Sequence, residues 1–402
     1  MSAALISRSL DLKRLDDEGF ELEIRGGYLL VHSVPYVTTD AKLARGVLIC
    51  DLTLTPSGET TAAPKDHTIY FAGDTPCHRD GAPLTAIIHN SNHADLGDGI
   101  EADHYFSSKP EGTGIYDNFY DKIVAYEGHL GRPARSHDPS ANARTGRKLA
   151  ASAETGPFQI PDTASSRYGL GAVNRKLAIG KIAIVGLGGT GAYVLDLVSK
   201  TPVCEIHLYD GDQFLNHNVF RAPGAPEPGA TKDFPTKVAY FAAIYTRLHK
   251  GVVPHPVKVT AENIDELRGF DFVFICVDKG SARRAIAEGL HRLGAPFIDT
   301  GIGVGLEGGE LDGCARVTLT PAGADWATAA RYLPFGDDDE GEDDVYDKGI
   351  QIADLNALNA TLAVLRWKRS LGFYRDHRRE LNAVYMVEGN MLSNRTPDAP
   401  DQ

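Results

Sequence analysis

The chain has 402 residues, 42% of them hydrophobic and 24% charged, so it is long enough for two domains with separate cores. Its formal net charge of −13 disfavours non-specific binding to nucleic acid or to an anionic membrane surface. The sequence shows no apolar run long enough to cross a bilayer and no signal-peptide pattern, which predicts a cytoplasmic protein.

Residues 1–131 are predicted to form a strand-rich α+β domain. Alternating apolar residues run on both sides of Gly26-Gly27, a pair that favours a hairpin turn. Residues 46–55 and 67–73 have the composition of further strands. These patterns predict a fold class for the domain but no role.

A helix is predicted to close this domain. Residues 115–130 carry apolar and aromatic side chains at helical spacing, and Gly131 and Pro133 predict the end of the helix. Residues 132–166 are rich in Pro, Ser, Ala and Gly and poor in large apolar groups, which predicts a linker.

Residues 167–395 are predicted to form a second domain, because short apolar strands there alternate with segments of helical character. This alternation is typical of a doubly wound, mostly parallel α/β sheet of the Rossmann-like kind. The predicted strands cover residues 181–189, 204–212, 252–260, 271–278 and 295–301.

A glycine motif lies between the first of these strands and a predicted helix. Glycines there allow a tight turn and let backbone N–H groups approach phosphate oxygens closely. The motif therefore predicts a bound nucleotide, and taken alone it fits a dinucleotide-dependent oxidoreductase equally well. Its glycines, in the pattern G-x-G-G-x-G, are Gly186, Gly188, Gly189 and Gly191.

Two polar motifs follow the second strand. Asp210 and Asp212 come at the strand end, and Asn218 and Arg221 lie a few residues beyond them. A carboxylate at this strand end can bind ribose hydroxyls. The arginine is not part of the dehydrogenase pattern, so Arg221 argues against a dehydrogenase.

The order of these motifs resembles the ubiquitin-activating superfamily, which includes the ThiF and MoeB adenylyltransferases. In that family the glycine motif and a D-x-D motif are followed by N-x-x-R, then by a lysine, and then by an aspartate that ends a later strand. Lys237 and Asp278 take the last two positions here, with Lys232 as the alternative lysine.

The resemblance implies that the second domain binds ATP and Mg²⁺. The glycine motif and both D-x-D carboxylates would contact the nucleotide, with Asp210 on the ribose. Arg221 and Lys237 would bind the phosphates, Asn218 would help to position them, and Asp278 would hold the magnesium ion.

The resemblance also implies a homodimer. In this family an arginine ahead of the glycine motif can reach ATP in the partner subunit. Arg167 takes that role in our prediction, with Arg175 as the alternative.

The implied reaction is the ATP-dependent adenylation of the C-terminal carboxylate of a ubiquitin-like protein, with release of pyrophosphate, in a bacterial conjugation pathway of the kind that includes antiviral systems. The N-terminal domain would recruit that protein or a ubiquitin-conjugating-type carrier. Two alternatives stay open. One is a cysteine-independent relative that activates a carboxylate on modified tRNA, and the other is a non-catalytic nucleotide-binding scaffold.

The cysteines depart from the family pattern. Many members form a thioester on a cysteine in a crossover segment, but the corresponding residues 320–349 contain none. A covalent intermediate would therefore need Cys77, Cys314, or a threonine such as Thr320 or Thr328. The chain's five cysteines form no C-x-x-C pair, which predicts reduced thiols and no structural zinc site.

Histidines are frequent in the N-terminal domain. His89 and His93 have a spacing that would place two imidazoles on one helix face, but the surrounding Asn, Ser and Gly favour a loop. A metal site would need a further ligand. We expect ordinary surface or structural histidines here.

Overall fold

The computed structural model describes residues 2–112, 114–147, 156–160, 162, 170–335 and 350–395. Its contacts divide the chain into two compact units, Met1–Gly156 with Pro161–Arg175, and Pro157–Ile160 with Lys176–Gln402. The boundaries predicted at residues 131 and 166 stay a prediction. No helix in the described ranges is long and apolar enough to cross a membrane.

The first unit combines an antiparallel sheet with helices. Its elements are α1 (Ser2–Arg8), α2 (Leu10–Asp17), β1 (Glu21–Arg25), β2 (Tyr28–Val37), β3 (Leu43–Asp51), β4 (Thr68–Ala72), β5 (Ile88–Asn90), β6 (Ala94–Gly97), β7 (Ile100–Ala102), β8 (His104–Ser107), α3 (Phe119–His137) and α4 (Gly171–Arg175).

The strand-rich character predicted for this unit is confirmed. Strands β1, β2, β3, β4, β8 and β5 form one sheet in that order, every neighbouring pair being antiparallel. Gly26 and Gly27 join β1 to β2 at φ of +58° and +84°, a conformation that glycine adopts without strain. Phe119, Ile123 and Tyr126 of α3 are fully buried in the core shared with this sheet.

The predicted end of α3 at Gly131 and Pro133 is wrong, because the helix continues to His137. Pro133 removes one backbone hydrogen bond, but Leu130 and Ala134 on either side of it are fully buried, and their burial favours continuing the helix. A Cβ on Gly131 would lie 2.6 Å from atoms of the Glu127 and Arg135 side chains, which form an ion pair. This glycine therefore makes room for that pair.

The second unit contains the predicted alternation of strands and helices. Its elements are β9 (Lys181–Val185), α5 (Gly189–Val198), β10 (Glu205–Tyr209), α6 (Asn216–Val219), α7 (Lys237–Tyr245), β11 (Val252–His255), a 3₁₀ helix (Ile264–Leu267), β12 (Phe272–Ile275), α8 (Gly280–Leu293), β13 (Phe297–Glu307), β14 (Glu310–Thr320), α9 (Trp326–Ala330), α10 (Ala353–Ser370), β15 (Asn382–Met386) and β16 (Met391–Arg395).

The predicted α/β sheet is confirmed. Strands β11, β10, β9, β12 and β13 pair in parallel, and β14, β15 and β16 extend the sheet with antiparallel pairs. The chain runs from β9 outward to β10 on one side and to β12 on the other. In open α/β sheets, ligands bind beyond the carboxyl ends of the strands at such a reversal. The fold therefore places a candidate site beyond β9, β10 and β12.

Candidate active site

The glycine motif forms the turn between β9 and α5. A Cβ on Gly191 would lie 1.9 Å from the carbonyl oxygen of Gly186, far closer than a non-bonded carbon can approach. Gly186 itself has φ of +92°, and a Cβ there would lie 2.6 Å from the Cys276 carbonyl oxygen. Only glycine fits either position, so both residues are needed for the close approach of the backbone in this turn.

The rest of the motif lies against the first turns of α10. A Cβ on Gly189 would lie 2.2 Å from the side-chain amide of Asn356. The hydroxyl of Thr190 donates to Asn356 Oδ1 at 2.8 Å, which fixes the turn to α10. A Cβ on Gly188 would have its nearest contact at 3.9 Å, with Gln351 Oε1, so this position is open.

Asp210 connects the end of β10 to the glycine motif. Its carboxylate is buried and accepts hydrogen bonds from the Leu187 N–H at 2.7 Å and from the Asp212 N–H at 2.8 Å. A carboxylate held by two backbone donors has a fixed orientation and keeps free lone pairs. The structure thus brings Asp210, the residue predicted to bind the ribose, to the glycine turn.

Lys237 is the first residue of α7 and lies beside both carboxylates of the D-x-D motif. Its buried ammonium is 3.0 Å from Asp212 Oδ2 and 3.4 Å from Asp210 Oδ2. The alternative, Lys232, is exposed in the segment before α7. The geometry therefore favours Lys237 as the lysine of this site.

Lys258 is a cation of the site that sequence reasoning missed. Its ammonium lies 2.9 Å from Asp212 Oδ1, and this hydrogen bond is the main reason why the pKa of Asp212 is lowered and that of Lys258 is raised. The order of the strands in the sheet could have indicated that Lys258 lies near Asp212. Because β10 and β11 pair in parallel with Tyr209 opposite His255, the residues that follow the two strands meet.

Asn218 and Arg221 hold buried donors without acceptors. The Asn218 Oδ1 atom accepts from the Leu215 N–H at 2.8 Å, whereas the Asn218 Nδ2 and Arg221 Nε atoms are buried with no hydrogen-bond partner. Burial lowers the pKa of Arg221, and the negative charge of Asp278 opposes that shift. Unpaired buried donors are costly in a folded protein. Oxygen atoms of a bound anion would satisfy them.

Asp278 follows β12 and is exposed. Its negative charge opposes the lowering of the Arg221 pKa and adds to the raising of the Lys258 pKa, so it lies within electrostatic range of both. Among the described residues, no group of three or more His, Cys, Asp or Glu side chains could hold a metal ion. The Asp278 carboxylate fits Mg²⁺ bound together with a nucleotide, because that ion takes one or two carboxylates plus phosphate and water oxygens.

Two family models match the chain. Residues 10–163 match a domain of unknown function, DUF6791, and residues 166–318 match the ThiF family. Residues 166–318 are therefore a ThiF family domain, most of which lies in the second unit. The resemblance to the ThiF family that the motifs indicate is confirmed. Membership of that family supports an adenylyltransferase-type enzyme.

Several solved structures are similar to this chain. Escherichia coli MccB with ATP is 17% identical, over 58% of this chain and 71% of that one, with a TM-score of 0.46. PaaA is 14% identical over 76% and 98%, with a TM-score of 0.45. The E. coli tRNA threonylcarbamoyladenosine dehydratase TcdA is 17% identical over 52% and 92%, with a TM-score of 0.38. No curated protein matches the sequence.

Arg167 and Arg175 are the two arginines predicted to reach a partner's ATP. Arg167 lies outside the described residues. Arg175 donates to Asp95 in the first unit at 2.8 Å. A role for either residue at the ThiF site stays a prediction.

The candidates for a covalent intermediate differ in accessibility. Cys77 is fully buried with its thiol 3.3 Å from the Thr75 carbonyl oxygen, and burial raises its pKa, so it is a poor nucleophile. Thr320 is also buried. Thr328 donates to Asp325 at the start of α9, and Cys314 lies within β14.

The histidines form no metal site among the described residues. His89 lies in β5, and His93 contacts the Asp103 carboxylate at 3.3 Å from the segment before β6. The helix that their spacing allows is therefore absent from this segment. Residues 91–93 form the loop that the neighbouring residues favour, whereas His89 lies in a strand.

Proposed function

We propose that this chain is an activating enzyme that uses ATP to adenylate the C-terminal carboxylate of a ubiquitin-like protein and releases pyrophosphate. One observation carries the proposal. The structure brings the glycine turn, the D-x-D carboxylates and the buried, unpartnered donors of Asn218 and Arg221 to one edge of a ThiF family sheet.

The residues divide the binding of ATP among them. Asp210, held in place by backbone donors, would accept hydrogen bonds from the ribose hydroxyls. Arg221 would direct its unpartnered Nε donor at a phosphate oxygen. Lys237, whose ammonium is bound to two carboxylates, would exchange one of them for a phosphate. Arginine offers a planar fork and lysine a movable point charge, so the two suit different phosphate positions.

The reaction follows from this arrangement. A carboxylate oxygen of the substrate attacks the α-phosphorus, the new P–O bond forms, and the bond to pyrophosphate breaks. Negative charge grows on the phosphate oxygens, and the cations Arg221 and Lys237 stabilise it more strongly in the transition state than in bound ATP. Magnesium, held by Asp278, would neutralise part of the same charge.

An exposed apolar face supports a protein as the substrate. Leu306 and Leu311 are paired across β13 and β14 and are 49% and 50% exposed. Successive side chains of a strand point to opposite faces of the sheet, and Val387 lies against Gly313 of β14. Val387 and Leu392, 44% and 47% exposed, therefore lie on the same face as Leu306 and Leu311. Contiguous exposed apolar residues are typical of protein interaction sites. The homodimer and the carrier-recruiting role of the N-terminal domain remain further parts of this proposal.

ATP-pyrophosphate exchange tests the substrate. We expect exchange with a ubiquitin-like protein that ends in glycine, and about 100-fold less when the same protein carries a C-terminal amide, because the amide has no nucleophilic carboxylate. Equal exchange with both forms would contradict carboxylate adenylation. Exchange with modified tRNA alone would favour the tRNA alternative, and ATP binding without any exchange would favour the scaffold.

A further inference from the structure

Asp299 is a fully buried carboxylate of β13 that binds two arginines. Arg283 Nε lies 2.9 Å from Asp299 Oδ1, and Arg316 Nη2 lies 2.5 Å from Asp299 Oδ2. The Asp299 side chain is 0% exposed, that of Arg283 is 8% exposed and that of Arg316 is 15% exposed. Buried charges need close partners of this kind, and removal of one partner is strongly destabilising. The cluster is separate from the residues proposed to bind ATP.

The Arg283 guanidinium connects this carboxylate to the turn that carries Asp278. Arg283 lies in the first turn of α8, and its Nη2 atom donates to the Val277 carbonyl oxygen at 2.8 Å. Val277 directly precedes Asp278. The planar fork therefore fixes the main chain on one side of Asp278 relative to β13, while α8 begins on the other side at Gly280.

Arg316 shares Asp299 but contacts different groups. Its Nη1 atom donates to Thr318 Oγ1 at 2.8 Å and to the Tyr332 carbonyl oxygen at 3.3 Å. Neither group belongs to the turn after β12. If either arginine is replaced by a neutral residue, Asp299 keeps one ion pair, with the remaining arginine. Neutral substitutions of Arg283 and of Arg316 are therefore matched in charge.

We infer that Asp299, acting through Arg283, is a positioning residue that sets the direction of Asp278 for metal binding. The inference rests on the proposed role of Asp278 in holding the divalent cation of the nucleotide. It goes beyond that role because a buried ion cluster, and not Asp278 itself, then determines how the turn that carries Asp278 is oriented. Outer contacts that orient a metal ligand typically change metal affinity by about 10- to 100-fold when removed.

The test compares Arg283→Met with Arg316→Met in the full chain. Binding of Mn²⁺ is measured by electron paramagnetic resonance in the presence of α,β-methylene-ATP, and thermal unfolding is followed in parallel. We expect both variants to lose stability, but only Arg283→Met to weaken Mn²⁺ binding, by about 10-fold. Metal-free binding of the nucleotide analogue should change less than about twofold in both.

Equal Mn²⁺ affinity in the two variants would overturn the inference, because a merely structural cluster would affect both alike. If Arg283→Met does not fold, Arg283→Lys keeps the charge without the planar fork and is expected to show the same selective loss of Mn²⁺ binding. Unchanged Mn²⁺ binding in Asp278→Ala would overturn the proposed metal role of Asp278 and this inference with it. If Asp278→Ala weakens Mn²⁺ binding and Arg283→Met does not, the inference about Asp299 and Arg283 is overturned, while the proposed metal role of Asp278 stands.

Discussion

Substitution of Arg221 by methionine is expected to lower the rate of ATP-pyrophosphate exchange by about 100- to 1,000-fold. The Arg221 Nε donor is buried without a partner and burial lowers the pKa of Arg221, so the folded protein already bears the cost of keeping this cation in place. A preorganised donor of this kind stabilises the charge that develops in the transition state. The measurement is steady-state exchange at saturating ATP and substrate.

Arg268 provides the matched control for this prediction. It lies in the same unit, its side chain is 68% exposed, and it pairs with Asp265 at 3.1 Å. Arg268→Met should leave the exchange rate within about twofold, because exposed ion pairs contribute little. A similar rate in Arg221→Met and the wild type would show that Arg221 does not act on the phosphates.

Substitution of Gly191 by alanine is expected to lower the free energy of unfolding of the second unit by about 3 kcal/mol and to abolish ATP binding. The added methyl carbon would lie 1.9 Å from the Gly186 carbonyl oxygen, a backbone atom that cannot move unless the turn rearranges. Rearrangement would displace the N–H groups at the start of α5. Urea unfolding and binding of a fluorescent ATP analogue measure the two effects.

Gly188 is the control within the same turn. It has φ of −73°, and a methyl carbon there would have its nearest contact at 3.9 Å. We therefore expect Gly188→Ala to change the free energy of unfolding by less than about 1 kcal/mol. Equal stability of the two alanine variants would contradict the steric account of the motif.

The grouping of the candidate site residues was predictable where they directly follow strand ends. The strand before Gly186 and the strand before Asp210 are short apolar runs, and parallel pairing brings their carboxyl ends together. The choice between Lys232 and Lys237 required the structure, because it depends on where α7 begins. Thr236 caps that helix by accepting from the Ala239 N–H, so Lys237 is its first residue and faces the carboxylates.

Other features escaped the sequence because non-local contacts decide them. Lys258 appeared to be part of a predicted strand, and only its distance to Asp212 shows that it belongs to the site. The continuation of α3 through Pro133 depends on burial against the sheet, which outweighs a local signal for helix termination. The pairing of Asp299 with Arg283 and Arg316 joins three elements that are separate in the sequence.

The most direct measurement of the central claim follows an oxygen atom from the substrate to AMP. A ubiquitin-like protein labelled with ¹⁸O in its C-terminal carboxylate is incubated with ATP, the protein and hydroxylamine, and the AMP produced is analysed by mass spectrometry. Carboxylate attack on the α-phosphorus predicts one ¹⁸O atom in each AMP, because the acyl C–O bond is the one that breaks afterwards. Unlabelled AMP would show that water or another group attacks ATP and would contradict carboxylate adenylation.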